Sequence, residues 1–331
     1  FAPDVAWKAP TDVAQADSQK GGHWDRMPGT GTAFRNHKVR MLTILPDAQT
    51  GSTSLEIIGI VADQPPIQLP TWLGKRPPVA GDWIQTLDEE FDGKVLNDKL
   101  LSVYWFNWWD KRQHYSKENT FLRNGKLVIR TEKKTGRQND GATVGMPGEP
   151  NDTVTPYATG WADTFGKWTQ RYGYFEFRAK LPEAANMWPG IWLMPDRGLA
   201  KFPDGLPKVN WEGFKGRTDT FNGGMEIDIM EAQSIWGPHR FNIACHWDGY
   251  SKEHKKLGTS ANYVATDAEG FIVIGMLWLP GSLTFYGNGE EIWHWESPRI
   301  IAEQMYVQFQ NMLGGWESDP LDDAQLPSDF E

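Results

Sequence analysis

The sequence predicts an all-β protein, a jelly-roll β-sandwich of two antiparallel sheets with a concave cleft. Three observations point there. Apolar runs are short, clusters of Gly, Pro, Asn and Asp separate them, and no stretch holds the 3.6-residue apolar period of a long helix. Many short strands closed by turns at this spacing suit a jelly roll. A chain of 331 residues also has room for one large β domain and an accessory segment.

Taken in order, residues 1–63 form an N-terminal β segment. Within it Lys38–Leu45 and Ser54–Val61 read as strands joined by a Gly/Ser/Thr turn. They are either the remnant of an upstream sugar-binding module or strands packed on the main domain. Residues 64–82 carry five prolines and read as a linker. Residues 83–331 form the main domain. Its strands are Leu127–Thr131, Gly173–Leu181, Met225–Met230, Arg240–His246, Phe271–Leu279, Leu283–Tyr286 and Met305–Gln310.

One of these strands carries chemistry. In Met225-Glu-Ile-Asp-Ile-Met-Glu231, alternation sends Glu226 and Asp228 to one face and Met225, Ile227 and Ile229 to the other. Glu231 has the wrong parity for the acidic face. One inserted residue, a β-bulge around Met230, brings it back. Three acids in a row repel, so at least one keeps its proton at neutral pH. A protonated carboxyl beside an ionised one is the pair that glycosidic bond cleavage uses. An alternating acidic strand is ordinarily a solvated outer face, but here the flanks are aromatic rather than rich in lysine. A calcium loop would gather its ligands from a turn, not from a strand.

Composition narrows the partners. Eighteen tryptophans exceed the needs of a core, and indole faces stack on sugar rings. A net charge of −10 argues against a nucleic-acid partner. No apolar run approaches the length of a membrane span. The single cysteine, Cys245, allows no internal disulfide and sits in a strand as a buried small hydrophobe. The seven histidines form no metal-ligand spacing with Cys or with one another. No Ser-His-Asp signature is present.

Glu226-x-Asp228-x-x-Glu231 resembles the bulged signature of glycoside hydrolase family 16, the clan of laminarinases, lichenases, agarases and carrageenases. Further segments resemble that family in its order: Glu90-Phe-Asp-Gly93, Asn119–Arg130, Arg171–Pro182, Trp188-Pro-Gly-Ile-Trp-Leu-Met194, Trp278-x-Pro280, Leu283–Tyr286 and Gly314-Gly315-Trp316. The likeness covers roughly residues 81–331 and implies a retaining endo-β-glycosidase that acts on a polysaccharide. Glu226 is then the nucleophile, Glu231 the general acid and base, and Asp228 the residue that orients the charge between them. Trp188 and Trp192, four apart on one strand face, become sugar platforms; the alternative is a pair of core tryptophans. Trp105, Asn107, Trp108, Trp109 and Arg112 match a loop lining the negative subsites, and His246-Trp247 a pair near the positive ones.

The resemblance implies β-1,3- or mixed-linked glucan as substrate. An agar, porphyran, carrageenan or mucin-type glycan is the alternative, and a non-catalytic sugar-binding jelly roll the second. No cofactor is required. Family members add a final strand after a segment like Leu326–Glu331, often with an aspartate for a structural calcium. That strand is lacking here, so whether calcium binds stays open. A monomer in mature secreted or periplasmic form, without a signal peptide, is the expected state.

Overall fold

β-branched and aromatic residues mark most strands of the computed structural model, which describes residues 69–97, 112–137, 154–197, 218–259, 261–317 and 320–331. Sixteen strands are present among them. The first eight are β1 (Gln113–Tyr115), β2 (Thr120–Leu122), β3 (Leu127–Arg137), β4 (Val154–Thr159), β5 (Trp161–Asp163), β6 (Gly173–Ala179), β7 (Met187–Pro195) and β8 (Glu226–Glu231). The others are β9 (Arg240–Trp247), β10 (Lys255–Gly258), β11 (Asn262–Tyr263), β12 (Ile272–Leu279), β13 (Ser282–Gly287), β14 (Glu290–Glu296), β15 (Met305–Leu313) and β16 (Ser328–Phe330). The helical elements among the described residues are short 3-10 turns at Lys117–Asn119, Ser234–Trp236 and Asp323–Gln325. No helix among them is long and apolar enough to cross a membrane.

All seven strands expected in the main domain are present. The expected strands Lys38–Leu45 and Ser54–Val61 lie outside the described residues, as do Trp105, Asn107, Trp108 and Trp109. Residues 69–82, part of the stretch read as a linker, lie along the sheet that contains β6. Gly74 N donates to Glu176 Oε1, and a Cβ on Gly289 would stand 2.8 Å from the Trp72 ring.

A seven-stranded sheet runs in the order β10-β9-β8-β7-β15-β5, with β11 also on β9. Against it stand a four-stranded sheet, β14-β13-β12-β6, and a five-stranded one, β1-β4-β3-β16 with β2 on β3. The second layer of the expected sandwich is therefore divided. A reciprocal backbone pair between Lys180 and Glu331 links the ends of β6 and β16. The pairing is antiparallel except between β1 and β4, which run parallel. Asn288-Gly289 closes the β13–β14 hairpin with both φ positive, 49° and 87°, as a tight primed turn requires.

The main core fills the space between the layers. Ile191, Leu193, Ile227, Ile229, Phe241, Ile243 and Val307 come from the seven-stranded sheet; Ile129, Phe175, Ile274, Met276, Phe285 and Phe330 come from the other two. Cys245 is buried in that core, as its strand setting implied. Period two leaves the other face of the seven-stranded sheet to a different set of residues. A second, smaller cluster of Tyr115, Trp161, Trp188 and Met312, with Trp192 against it, lies there.

Candidate active site

The bulge expected in β8 is present. Against β7, Gly190 pairs with Glu231, Ile191 with Met230, and Trp192 with Asp228, so Ile229 is the residue without a partner. Against β9, Asp228 pairs with Ala244 and Glu231 with Asn242, with the same shift between them. The extra residue is thus shared by Ile229 and Met230 rather than centred on Met230, and both side chains are fully buried in the core. Two successive side chains pointing inward leave Glu231 on the outer face with Glu226 and Asp228.

Each acid has its own surroundings. Glu226 accepts a hydrogen bond from the Tyr250 hydroxyl. Glu231 accepts from Trp188 Nε1 at 3.1 Å and Asn242 Nδ2 at 3.2 Å. Gly190, opposite Glu231 on β7, adds no side chain beside it. Asp228 is 3 % exposed, and its Oδ2 makes no hydrogen bond. His246 Nε2 stands 3.4 Å from that oxygen, while His246 Nδ1 lies 2.8 Å from His254 Nε2.

Burial dominates the electrostatics. It raises all three carboxyls, Glu226 to about 8 and Glu231 to about 7, against the hydrogen bonds from Tyr250, Asn242 and Trp188. Asp228 is raised well above its ordinary value by burial and by its two acidic neighbours. Burial lowers His246 to about 4, helped by His254 and Lys256. The imidazole is therefore neutral near pH 7, and its approach to Asp228 is not an ion pair. The row holds shared protons at neutral pH, so some carboxyls are acids while another is a base.

Trp188 and Trp192 both lie on the carboxylate face, Trp192 edge-on to Trp161 at 5.9 Å. Trp316 extends this aromatic surface: half-exposed, it meets Trp188 edge-on at 5.4 Å. Several buried polar atoms here have no hydrogen-bond partner: Asp228 Oδ2, Trp192 Nε1, Asn242 Oδ1 and both ends of the Gln308 amide. Gln308, Trp192 and Asp228 stand directly opposite one another across β15, β7 and β8. Native folds leave few such groups unpaired, and a concentration of them on one face suits a hydroxyl-rich ligand or water.

One expected site residue is placed elsewhere. Trp247 follows His246 in β9, so alternation sends it to the opposite face, where it stacks on Trp295 at 5.5 Å against the main core. Arg112 is exposed and donates to Asn186 Oδ1 at 2.7 Å, tying itself to the turn before β7. The sequence alone does not single out Tyr250, Asn242 and His254, and it gives Trp316 only within the Gly314-Gly315-Trp316 segment. Asn242 was within reach, since it shares strand parity with His246; Tyr250 and His254 come from a loop, which has no such period.

Glu226, Asp228 and His246 also bring possible metal-ligating atoms within 4.8 Å of one another. Calcium takes six to eight oxygens, and two carboxylates with one imidazole do not fit it.

No model of a known protein family matches the chain. The chain is similar to bacterial endo-β-glycanases. It is 25% identical over 256 residues to an endo-1,3-1,4-beta-glycanase of Rhizobium meliloti, covering 72% of this chain and 48% of that protein. The chain spans half or less of the first curated relatives it matches. A laminarinase catalytic domain from Thermotoga petrophila superposes with a TM-score of 0.56 at 20% identity, over 76% of this chain and 95% of that one. A structure from work on endo-acting O-glycanases of the human gut microbiota that initiate mucin breakdown superposes with a TM-score of 0.59 at 20% identity, over 77% and 90%. These superpositions place the chain in the laminarinase jelly-roll fold.

Proposed function

We propose that this chain is a retaining endo-β-glycosidase of the family 16 type, acting on a β-1,3- or mixed-linked glucan. The observation that carries the reading is the row Glu226, Asp228, Glu231 on one face of the bulged β8, beside tryptophans and unpaired polar atoms. Glu226 attacks the anomeric carbon, and the bond to the leaving sugar breaks. Glu231 gives its proton to the leaving oxygen and then takes one from the water that hydrolyses the glycosyl-enzyme. Asp228, held between them and faced by neutral His246, keeps its own proton, so the negative charge is carried by its neighbours. No metal or cofactor takes part. Trp188 orients Glu231 through its indole N–H, and Trp192 offers a face to the sugar.

Similarity to a glucan endo-1,3-beta-glucosidase of Niallia circulans, 27% identical over 202 residues, supports glucan as substrate. A galactan or mucin-type glycan is the second reading, favoured by the O-glycanase neighbour. A polymeric substrate fits an extracellular or periplasmic monomer. The test is incubation with laminarin, mixed-linkage glucan, agarose, porphyran, carrageenan and mucin glycans, followed by product sizing. A ladder of oligosaccharides from laminarin or mixed-linkage glucan is expected. Cleavage confined to a galactan or mucin would move the substrate, and binding without cleavage of any of them would sink the enzyme reading.

A further inference from the structure

The loop at residues 248–254, between β9 and β10, is fixed at its base. Asp248 N donates to Thr220 O at 3.0 Å, and Lys255 Nζ to Asp248 Oδ2 at 2.7 Å. Arg299 Nη2 lies 3.4 Å from Asp248 Oδ1 and donates to Gly224 O at 2.7 Å. Gly249, at φ 79°, donates to Thr220 Oγ1 at 2.9 Å, and a Cβ there would stand 2.3 Å from the Phe221 ring. This base aims the next residue. The Tyr250 ring is half exposed while its hydroxyl reaches inward to Glu226 Oε2, 3.8 Å from Met194 Sδ. At the far end of the loop, His254 lies 5.7 Å from the Tyr250 ring and bonds His246.

We propose that Tyr250 is a catalytic residue: its hydroxyl donates to Glu226, favours the ionised carboxylate against the burial around it, and stabilises the same carboxylate as it departs from the glycosyl-enzyme. The proposal rests on the reading of Glu226 as nucleophile. Asp228 and Glu231 face Glu226 from its own strand, His246 faces it from β9 with His254 behind, and the positive charge of Lys256 on β10 acts on Glu231 and His246. β7 contributes Met194, which carries no charge. Among the described residues no Lys or Arg hydrogen-bonds Glu226, so the Tyr250 hydroxyl is the donor its anion has. Burial and the acids beside it raise the phenol well above its usual range, so Tyr250 keeps its own proton.

In the first half-reaction the bond from Glu226 to the anomeric carbon forms and the glycosidic bond breaks, with the proton passing from Glu231 to the leaving oxygen. The charge on Glu226 is lost into the ester, and the bond from Tyr250 weakens. In the second half, water activated by Glu231 displaces the carboxylate, its charge returns and the bond strengthens. Removing the hydroxyl therefore slows the second step and raises the pH at which Glu226 ionises.

The experiment compares Tyr250→Phe with the parent on laminarin and on 2,4-dinitrophenyl β-laminaribioside, whose leaving group needs no proton from Glu231. A hydrogen bond to a charged group makes the expected loss in kcat on the order of 10- to 100-fold. It should come with an unchanged Tm, a burst of dinitrophenolate, and an acid limb of kcat/KM moved upward by about one pH unit. Parent-like kcat and acid limb would overturn the proposal, as would lost activity with a lowered Tm and an unmoved limb. Turnover by the parent separates this claim from the function beneath it. A parent inert on every glycan overturns both, and an active parent with an unchanged variant overturns the role of Tyr250 alone.

Discussion

The two faces of β8 show opposite physics within six residues. On the inner face Ile227, Ile229 and Met230 are fully buried among aliphatic and aromatic neighbours, where every methylene stabilises the fold. On the outer face Asp228 is buried and Glu226 and Glu231 are half-buried, without a cation bonded to any of them among the described residues, an arrangement that costs stability. The strand is held in place by one side so that the other can be kept in an unfavourable state. The bulge at Ile229–Met230 joins the two, because it adds one more buried side chain and re-aims Glu231 in the same step.

The sharpest way to break the comparison is to remove one acid. Glu226→Gln or Glu231→Gln should lower turnover of laminarin by at least about 100- to 10,000-fold, read as reducing ends released. Neither should unfold the protein. Both carboxyls have folded-state values raised above the ordinary range, so the stability they contribute is present at low pH and lost as pH rises through about 7 and 8. Each glutamine variant should therefore melt close to the parent at pH 5 and above it at pH 9. A variant that melts lower at pH 9 would mean that the outer face stabilises the strand.

The opposite substitution tests the inner face. Met230→Ala should cost about 2–5 kcal/mol in denaturant unfolding, with activity per folded molecule reduced far less than in the glutamine variants. A stability loss under about 1 kcal/mol would place Met230 outside the core.

A smaller effect concerns the protons shared by the row. The productive form has one proton between Glu226 and Glu231, whichever residue carries it in the free enzyme. Below about 7 both are protonated and the nucleophile is lost; above about 8 both are ionised and the acid is lost. The profile of kcat/KM should be a bell with its maximum between these values. An optimum near pH 4 to 5 would mean that the row is better solvated than its burial indicates. Smallest of all, Trp188→Phe removes the 3.1 Å donor to Glu231 and should move the limb near 7 upward by a fraction of a unit.

The same contrast explains what the sequence made legible. Strands with two unlike faces announce themselves by alternation, so β8, β9 and β15 and the acid row are visible in the chain, while β12 is visible as an apolar run between turns. The bulge follows from parity alone, although its exact seat required the pairing register. β10, all exposed, and β14, with four charged or polar residues in seven, lack that contrast and carry no readable strand pattern. His246 and Trp247 read as a pair in the chain, yet period two separates them to opposite faces. Tyr250 is the opposite case: its position depends on the anchoring of Asp248 and Gly249 by residues distant in sequence, which no local pattern records.

The stereochemistry of hydrolysis tests the central claim most directly. Proton NMR should follow the anomeric signals during the first minutes of cleavage, before mutarotation mixes them. A covalent glycosyl-enzyme on Glu226 inverts the anomeric centre twice, so the β-anomer should appear first and the α-anomer only later. Initial appearance of the α-anomer would contradict the account, because single inversion needs carboxyls about 6.5–9.5 Å apart with a water between them, and Glu226 would then not be the nucleophile.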